Sequence, residues 1–200
     1  LTLDLIGDSR RMRLVLEERL ADLDLDQVIV AATHTHHGPG ALAEAPLWRL
    51  AMGRFDAALF ASMAAGAEAA AREAWADLAP ARLTHGRGDP TGLNRNRRGR
   101  ADAVDSTGGV VRIDGPDGAP RGLLVHFAAH PEILPATLAR FSAAWPGACR
   151  KAIEQALPGA TALLLQGPLG DLSPAVPPGD DEGAARMTRY GEAVARAALA

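Results

Sequence analysis

Residues 1–33 read as strand, helix, strand within about thirty residues, and this order constrains the fold more than any other feature of the chain. Leu1 to Ile6 is a short run rich in Leu and Ile, and Gly7-Asp8-Ser9 supplies turn and N-cap chemistry. Met12, Val15, Leu16, Leu20 and Leu23 then form an apolar stripe at helical spacing, which predicts a helix over 9–23. Val28-Ile29-Val30-Ala31 predicts a buried strand over 27–33. A right-handed crossover makes the two strands parallel neighbours, and the carboxyl edge of such a sheet is where ligands bind.

At that edge stands Ala32-Thr33-His34-Thr35-His36-His37-Gly38-Pro39-Gly40, which holds three of the chain's six histidines. Gly-Pro-Gly neither continues a strand nor starts an ordinary helix. If the strand runs on through residue 36, alternation puts His34 and His36 on one face and His37 on the other. Imidazole suits zinc, and a catalytic zinc takes about three protein ligands and an open position for water. A polar loop whose histidines bond to backbone is the competing reading of this pair taken alone.

Farther on, the Ala-rich stretch 46–77 predicts one long helix or two joined near Gly53, with Trp48, Phe55, Phe60, Met63 and Trp75 assigned to core. A strand over 81–87 leads into a polar loop with the basic run Arg95 to Arg100, which is either solvated or a grip for an anion or oxyanion. Residues 108–114 and 122–127 predict a hairpin. Its second strand runs to His126-Phe127-Ala128-Ala129-His130-Pro131, where alternation sets His126, Ala128 and His130 on one face and Pro131 ends the strand. A helix follows from Trp145-Pro146-Gly147 to Leu157. The most apolar strand, 160–166, discharges into Gly167-Pro168-Leu169-Gly170-Asp171-Leu172-Ser173-Pro174, where Ser173 is a nucleophile, a hydrogen-bond donor or a loop cap. A last helix starts near residue 183.

The fold class is therefore α/β: a mixed sheet with flanking helices in a layered α/β/α arrangement. Leu1 opens inside a strand and Ala200 stops inside a helix, so residues 1–200 are read as part of one catalytic domain cut at both ends. That leaves export signal, compartment and oligomeric state open. A formal charge of −3 and no long basic patch argue against nucleic acid as a partner. The single Cys149 excludes an internal disulfide framework and reads as a small buried hydrophobe. No apolar run approaches the roughly 20 residues that span a bilayer.

Three strand ends in this order, T-H-T-H-x-G-P-G, then H-P, then G-D-x-S-P, resemble the neutral, non-lysosomal ceramidase family. The opening L-D-L-I-G, the N-x-N-R stretch and the Ser-Ala-x-Trp-Pro-Gly segment fall in the same order, so the resemblance covers essentially the whole chain. It implies that His34 and His130 are zinc ligands, that His36 assists the reaction, that Ser173 matches the proposed catalytic serine, and that Arg97 matches an active-site arginine. It implies Zn2+ as cofactor and a lipid or small-molecule N-acyl amide as substrate, ceramide being cleaved to sphingosine and a fatty acid. Four residues depart from the pattern that the resemblance implies: His37 stands where a small residue is usual, Glu132 where a small or neutral side chain is, Ala144 where related bacterial sequences usually carry Asp, and Ala175 where Asn is expected. The resemblance also implies two further zinc ligands, a Glu and a Tyr, well downstream of the serine motif, and Tyr190 does not match the latter.

The chemistry expected is hydrolysis by a zinc-activated water, with Arg97 and Ser173 bonding the oxyanion and His36 moving a proton. Ser173 as a covalent nucleophile, with His36 as its base, is the variant of that scheme. Rival readings are another metal-dependent hydrolase of amidohydrolase type, whose barrel the hairpin at 108–127 interrupts, and a degenerate homologue that binds lipid or a partner without turnover.

Overall fold

In a computed structural model of the chain the described residues are 1–7, 9–99 and 104–200. Asp8 of the expected N-cap turn and Arg100 of the basic run lie outside them.

The opening unit is a βαβ crossover, as the apolar periodicity requires. Strand β1 (Thr2–Leu3) pairs in parallel with β2 (Ala31–Ala32), and helix α1 (Arg10–Arg19) connects them. Ser9 caps α1 by accepting from the Met12 amide at 3.2 Å, and Met12 and Leu16 are its buried residues, one turn apart. Both strands are shorter than their apolar runs, although the parallel pairing continues one residue further, the Leu1 ammonium donating to Ile29 O and the Ala31 amide to Leu1 O, each at 2.9 Å. The Ala-rich stretch breaks at Gly53, whose φ of 83° only glycine adopts easily, into α2 (Trp48–Met52) and α3 (Ala57–Ala76). Asp56 caps α3 through the Leu59 amide. Arg72 on α3 reaches across to Asp22 and to the Arg19 carbonyl, and Arg19 pairs with Glu68, so α1 and α3 are joined at their polar flank over a shared core of Leu5, Leu16, Phe60 and Ala64.

The main sheet has the order β3-β5-β6-β7. Here β3 is Arg82–Gly88, β5 is Gly108–Asp114, β6 is Pro120–Phe127 and β7 is Thr161–Gln166. The hairpin partners β5 and β6 are antiparallel, whereas β7 lies parallel to β6 after a crossover through α4 (Ala144–Ala156), so the sheet is mixed. Leu123, Val125 and Phe127 alternate onto the buried face of β6. Against them pack α4, through Trp145, Cys149 and Ile153, and α5 (Gly183–Leu199), through Tyr190 and Val194. Each such side chain contributes roughly 1.5–3 kcal/mol by burial, and Trp145 adds edge contacts to Phe127 and Tyr190 with ring centroids 6.0 and 5.4 Å away. Cys149 is fully buried, its thiol pushed up to about 12 by desolvation. Tyr190 is buried too and donates to the Leu93 carbonyl at 2.6 Å, which makes it a packing residue.

One pairing does not show in the sequence. Inside the two polar loops, β4 (Asn94–Asn96) and β8 (Leu172–Pro174) form an antiparallel ladder with Arg95 opposite Ser173. These strands are only three residues long, and they contain Asn and Pro, which strands disfavour, so neither alternation nor β-propensity marks them. No described helix is long and apolar enough to cross a membrane.

Candidate metal and hydrolytic site

His34, His36 and His130 come together at the strand exits, with ligand-capable nitrogens all within 4.8 Å of one another. The route differs from simple alternation. Strand β2 stops at Ala32, and His34 takes a left-handed backbone with φ of 62°, so a local turn rather than a continuing strand aims its ring. His36 still joins it, with ring centroids 5.1 Å apart, while His37 is buried and stays out of the cluster. On the second strand β6 ends at Phe127, three residues before His130. His126, expected on the same face, instead lies by Gly109 and Gly167, outside the cluster.

Backbone carbonyls orient both principal rings. Ile6 O lies 2.6 Å from His34 Nδ1, and Leu169 O lies 2.8 Å from His130 Nδ1. A neutral imidazole has a single N–H, and a carbonyl accepts only from a donor, so each ring carries its proton on Nδ1 and presents a bare lone pair at Nε2. The two Nε2 atoms are 3.3 Å apart. Two lone pairs facing each other at that distance repel unless a cation lies between them. Zn–N bonds of about 2.0–2.1 Å at a tetrahedral angle place two ligand nitrogens roughly 3.3–3.4 Å apart, so the donor set fits zinc in both chemistry and spacing. Burial is the largest cause holding His34 and His36 below the ordinary imidazole value, and the neighbouring His130 acts in the same direction, which favours the neutral rings that metals bind.

Arg97 and Ser173 meet through a residue the sequence marks only as a departure. The β4–β8 ladder and the Arg97 amide bond to Asp171 O, 2.8 Å, bring the two loops together. Glu132, two residues after His130, accepts from the Ser173 hydroxyl with one oxygen and from Arg97 with the other, the latter at 3.4 Å. The hydroxyl's partner is thus Glu132, where the nucleophile variant pairs it with His36. Arg97 also donates to the Gly170 carbonyl at 2.6 Å.

Two hollows flank the cluster. On one side an apolar pocket of about 540 Å³ is lined by Leu5, Met12, Leu42, Trp48 and Phe60 and reaches His34. Trp48, expected in the core, is half exposed at this pocket because α2 is a single turn and a half standing off the α1–α3 core. On the other side an open cleft of about 1010 Å³ includes His36, His37 and Glu132. The apolar pocket draws its wall from four separate segments, and no window of sequence shows it. Gln166 is a second residue the motifs do not flag: it closes the most apolar strand, and a polar side chain at the end of such a run is the one available signal.

The mixed sheet, the separate β1–β2 pair and the histidine cluster at their strand exits define an α/β domain with a metal-competent site built on loops. Residues 9–184 match the family described as neutral/alkaline non-lysosomal ceramidase, N-terminal, and the chain belongs to that family. The neutral ceramidase of Pseudomonas aeruginosa is 30% identical over 118 residues, 54% of this chain and 18% of that protein. The neutral ceramidase of Mycobacterium tuberculosis is 31% identical over 155 residues, 62% of this chain and 24% of that protein. Among solved structures, the neutral ceramidase from Pseudomonas aeruginosa superimposes with a TM-score of 0.90 at 23% identity, over 99% of this chain and 35% of that one. A ceramidase complexed with C2 gives 0.89 at 22% identity, over 99% and 34%. These superpositions show the fold, and the chain spans about a third of the solved relatives.

Proposed function

We propose that the chain carries the histidine half of the active site of a zinc-dependent amide hydrolase that cleaves an N-acyl amide of the ceramide kind into amine and fatty acid. The observation that carries this reading is the pair of Nε2 lone pairs of His34 and His130, facing each other at 3.3 Å with both Nδ1 atoms committed to carbonyls. Membership in the ceramidase family supports the substrate class. So does the apolar pocket that opens beside His34, which suits a hydrocarbon chain.

A zinc ion held there would supply a Lewis acid for the amide carbonyl and would lower the pKa of a bound water to about 7. His34 and His130 would hold it, with their rings oriented by the Ile6 and Leu169 carbonyls. His36, exposed beside them, takes the proton released as water attacks and hands it to the leaving nitrogen, a task for which a neutral ring is the right starting form. Arg97 and Ser173 bond the carbonyl oxygen as charge develops on it. Water adds to the carbonyl carbon, the C–N bond breaks, and the amine leaves with the shuttled proton.

The test is hydrolysis of an N-acyl sphingoid amide by the full-length gene product, with released amine as readout. Activity abolished by a chelator, restored by zinc and reduced by about 10²-fold or more in His36→Ala supports the reading. Turnover that survives complete metal removal overturns it.

A further inference from the structure

We infer that Gln166 is a positioning residue that sets the distance between the two histidine-bearing strand exits, an inference that rests on the metal reading above. Its amide nitrogen donates to two carbonyls at once, Thr33 O at 3.1 Å and Ala129 O at 3.2 Å. Thr33 immediately precedes His34, and Ala129 immediately precedes His130. One NH2 group therefore ties together the two peptide units from which the facing rings spring.

The remaining contacts make this tie consequential. The His34 segment is otherwise anchored to the first βαβ unit: the Thr33 amide donates to Leu3 O, its hydroxyl to Asp4, and Ile6 O holds the ring. The His130 segment is anchored to the β7–β8 turn: its amide donates to Leu172 O at 2.9 Å, and Leu169 O holds the ring. The two rings thus belong to differently supported pieces of backbone. At the strand ends Gln166 bridges them, and Gln166 is itself fixed by the ladder opposite Phe127. A metal ion tolerates little error in ligand spacing, and outer-shell partners of ligands are typically worth 10- to 100-fold in affinity. The chemistry is also specific to the side chain. Both donors of one amide are used, Glu offers acceptors where two carbonyls already sit, Met has the length without the donors, and Asn is one methylene short.

The experiment compares the full-length gene product with its Gln166→Met and Gln166→Glu variants, in zinc affinity by chelator competition and in the visible absorption of the Co2+-substituted forms. Circular dichroism and thermal unfolding check that each is folded, and Gln166→Asn serves as a third variant should one of the others be unfolded. The expected result is a folded variant whose zinc affinity falls about 10- to 100-fold and whose Co2+ bands change in intensity or position. Wild-type affinity and an unchanged Co2+ spectrum in the folded variants overturn the inference and leave the metal site standing. Absence of zinc binding in the unaltered protein overturns the metal reading, and the positioning role with it.

Discussion

His34 and His130 are 96 residues apart in the chain, yet their Nε2 atoms face each other at 3.3 Å. Neither nitrogen has a proton to offer the other, because each ring spends its N–H on a carbonyl, Ile6 O for His34 and Leu169 O for His130. Those carbonyls come from two further strand exits, after β1 and β7. Four loops are therefore committed to the geometry of one pair of lone pairs. A bland hydrogen-bonded histidine needs no such agreement, and the cluster reads as a receptor for a cation.

Glu132 holds the Ser173 hydroxyl and the Arg97 guanidinium together. If these two groups bond a developing oxyanion, a carboxylate between them opposes that charge and competes for both donors. Glu132→Gln keeps the shape and removes the charge, so kcat is expected to rise about tenfold, equivalent to ~1.4 kcal/mol, with KM nearly unchanged. Steady-state kinetics on an N-acyl amide checks it. A fall of tenfold or more assigns Glu132 a supporting role in turnover instead.

Ala144 opens α4 with φ of 51°, a left-handed conformation that costs an L side chain roughly 1–2 kcal/mol. The residue is buried, so its neighbours impose the backbone and it cannot relax. Asp and Asn visit this region more readily than Ala. Ala144→Gly is expected to stabilise the chain by about 0.5–1 kcal/mol in urea unfolding, part of the relief being offset by the greater freedom of unfolded Gly. A loss of stability would contradict the strain.

Gly191 is where α5 crosses α4. A Cβ there would lie 2.6 Å from Ala148 Cβ, 2.7 Å from Trp145 O and 2.8 Å from Cys149 N. Two of these are backbone atoms of a packed helix, which cannot swing aside as a side-chain tip can. Gly191→Ala is expected to destabilise the fold by about 1–3 kcal/mol, a loss of several degrees in Tm. A change within ~0.5 kcal/mol would show that the helices separate freely.

Much of this architecture was legible because the apolar periods are long. The hairpin β5–β6, β7, α4 and α5 lie within a few residues of the runs that predict them, since each buries a continuous apolar face. The histidine cluster was legible as three residues at strand ends, although the reason differs in detail: a left-handed turn at His34 does what strand alternation was expected to do. Hidden from the sequence were features carried by polar groups acting across the chain. Asn94 to Asn96 pairs with Leu172 to Pro174 without any apolar pattern, and Glu132 finds Ser173 41 residues away. Gln166 looks like the end of a strand until Thr33 and Ala129 are placed beside it. Such contacts obey hydrogen-bond geometry, which has no sequence period.

Zinc content decides whether the cluster is a metal site, and it is to be measured in the full-length gene product, purified under zinc-replete conditions and dialysed, beside His34→Ala, His130→Ala and a folded control variant, His85→Ala, on the exposed strand β3. One zinc per chain is expected in the unaltered protein and in His85→Ala, with loss of that zinc in both site variants while they remain folded. A protein that holds no zinc, or one that keeps it after His34 and His130 are each removed, would contradict the account.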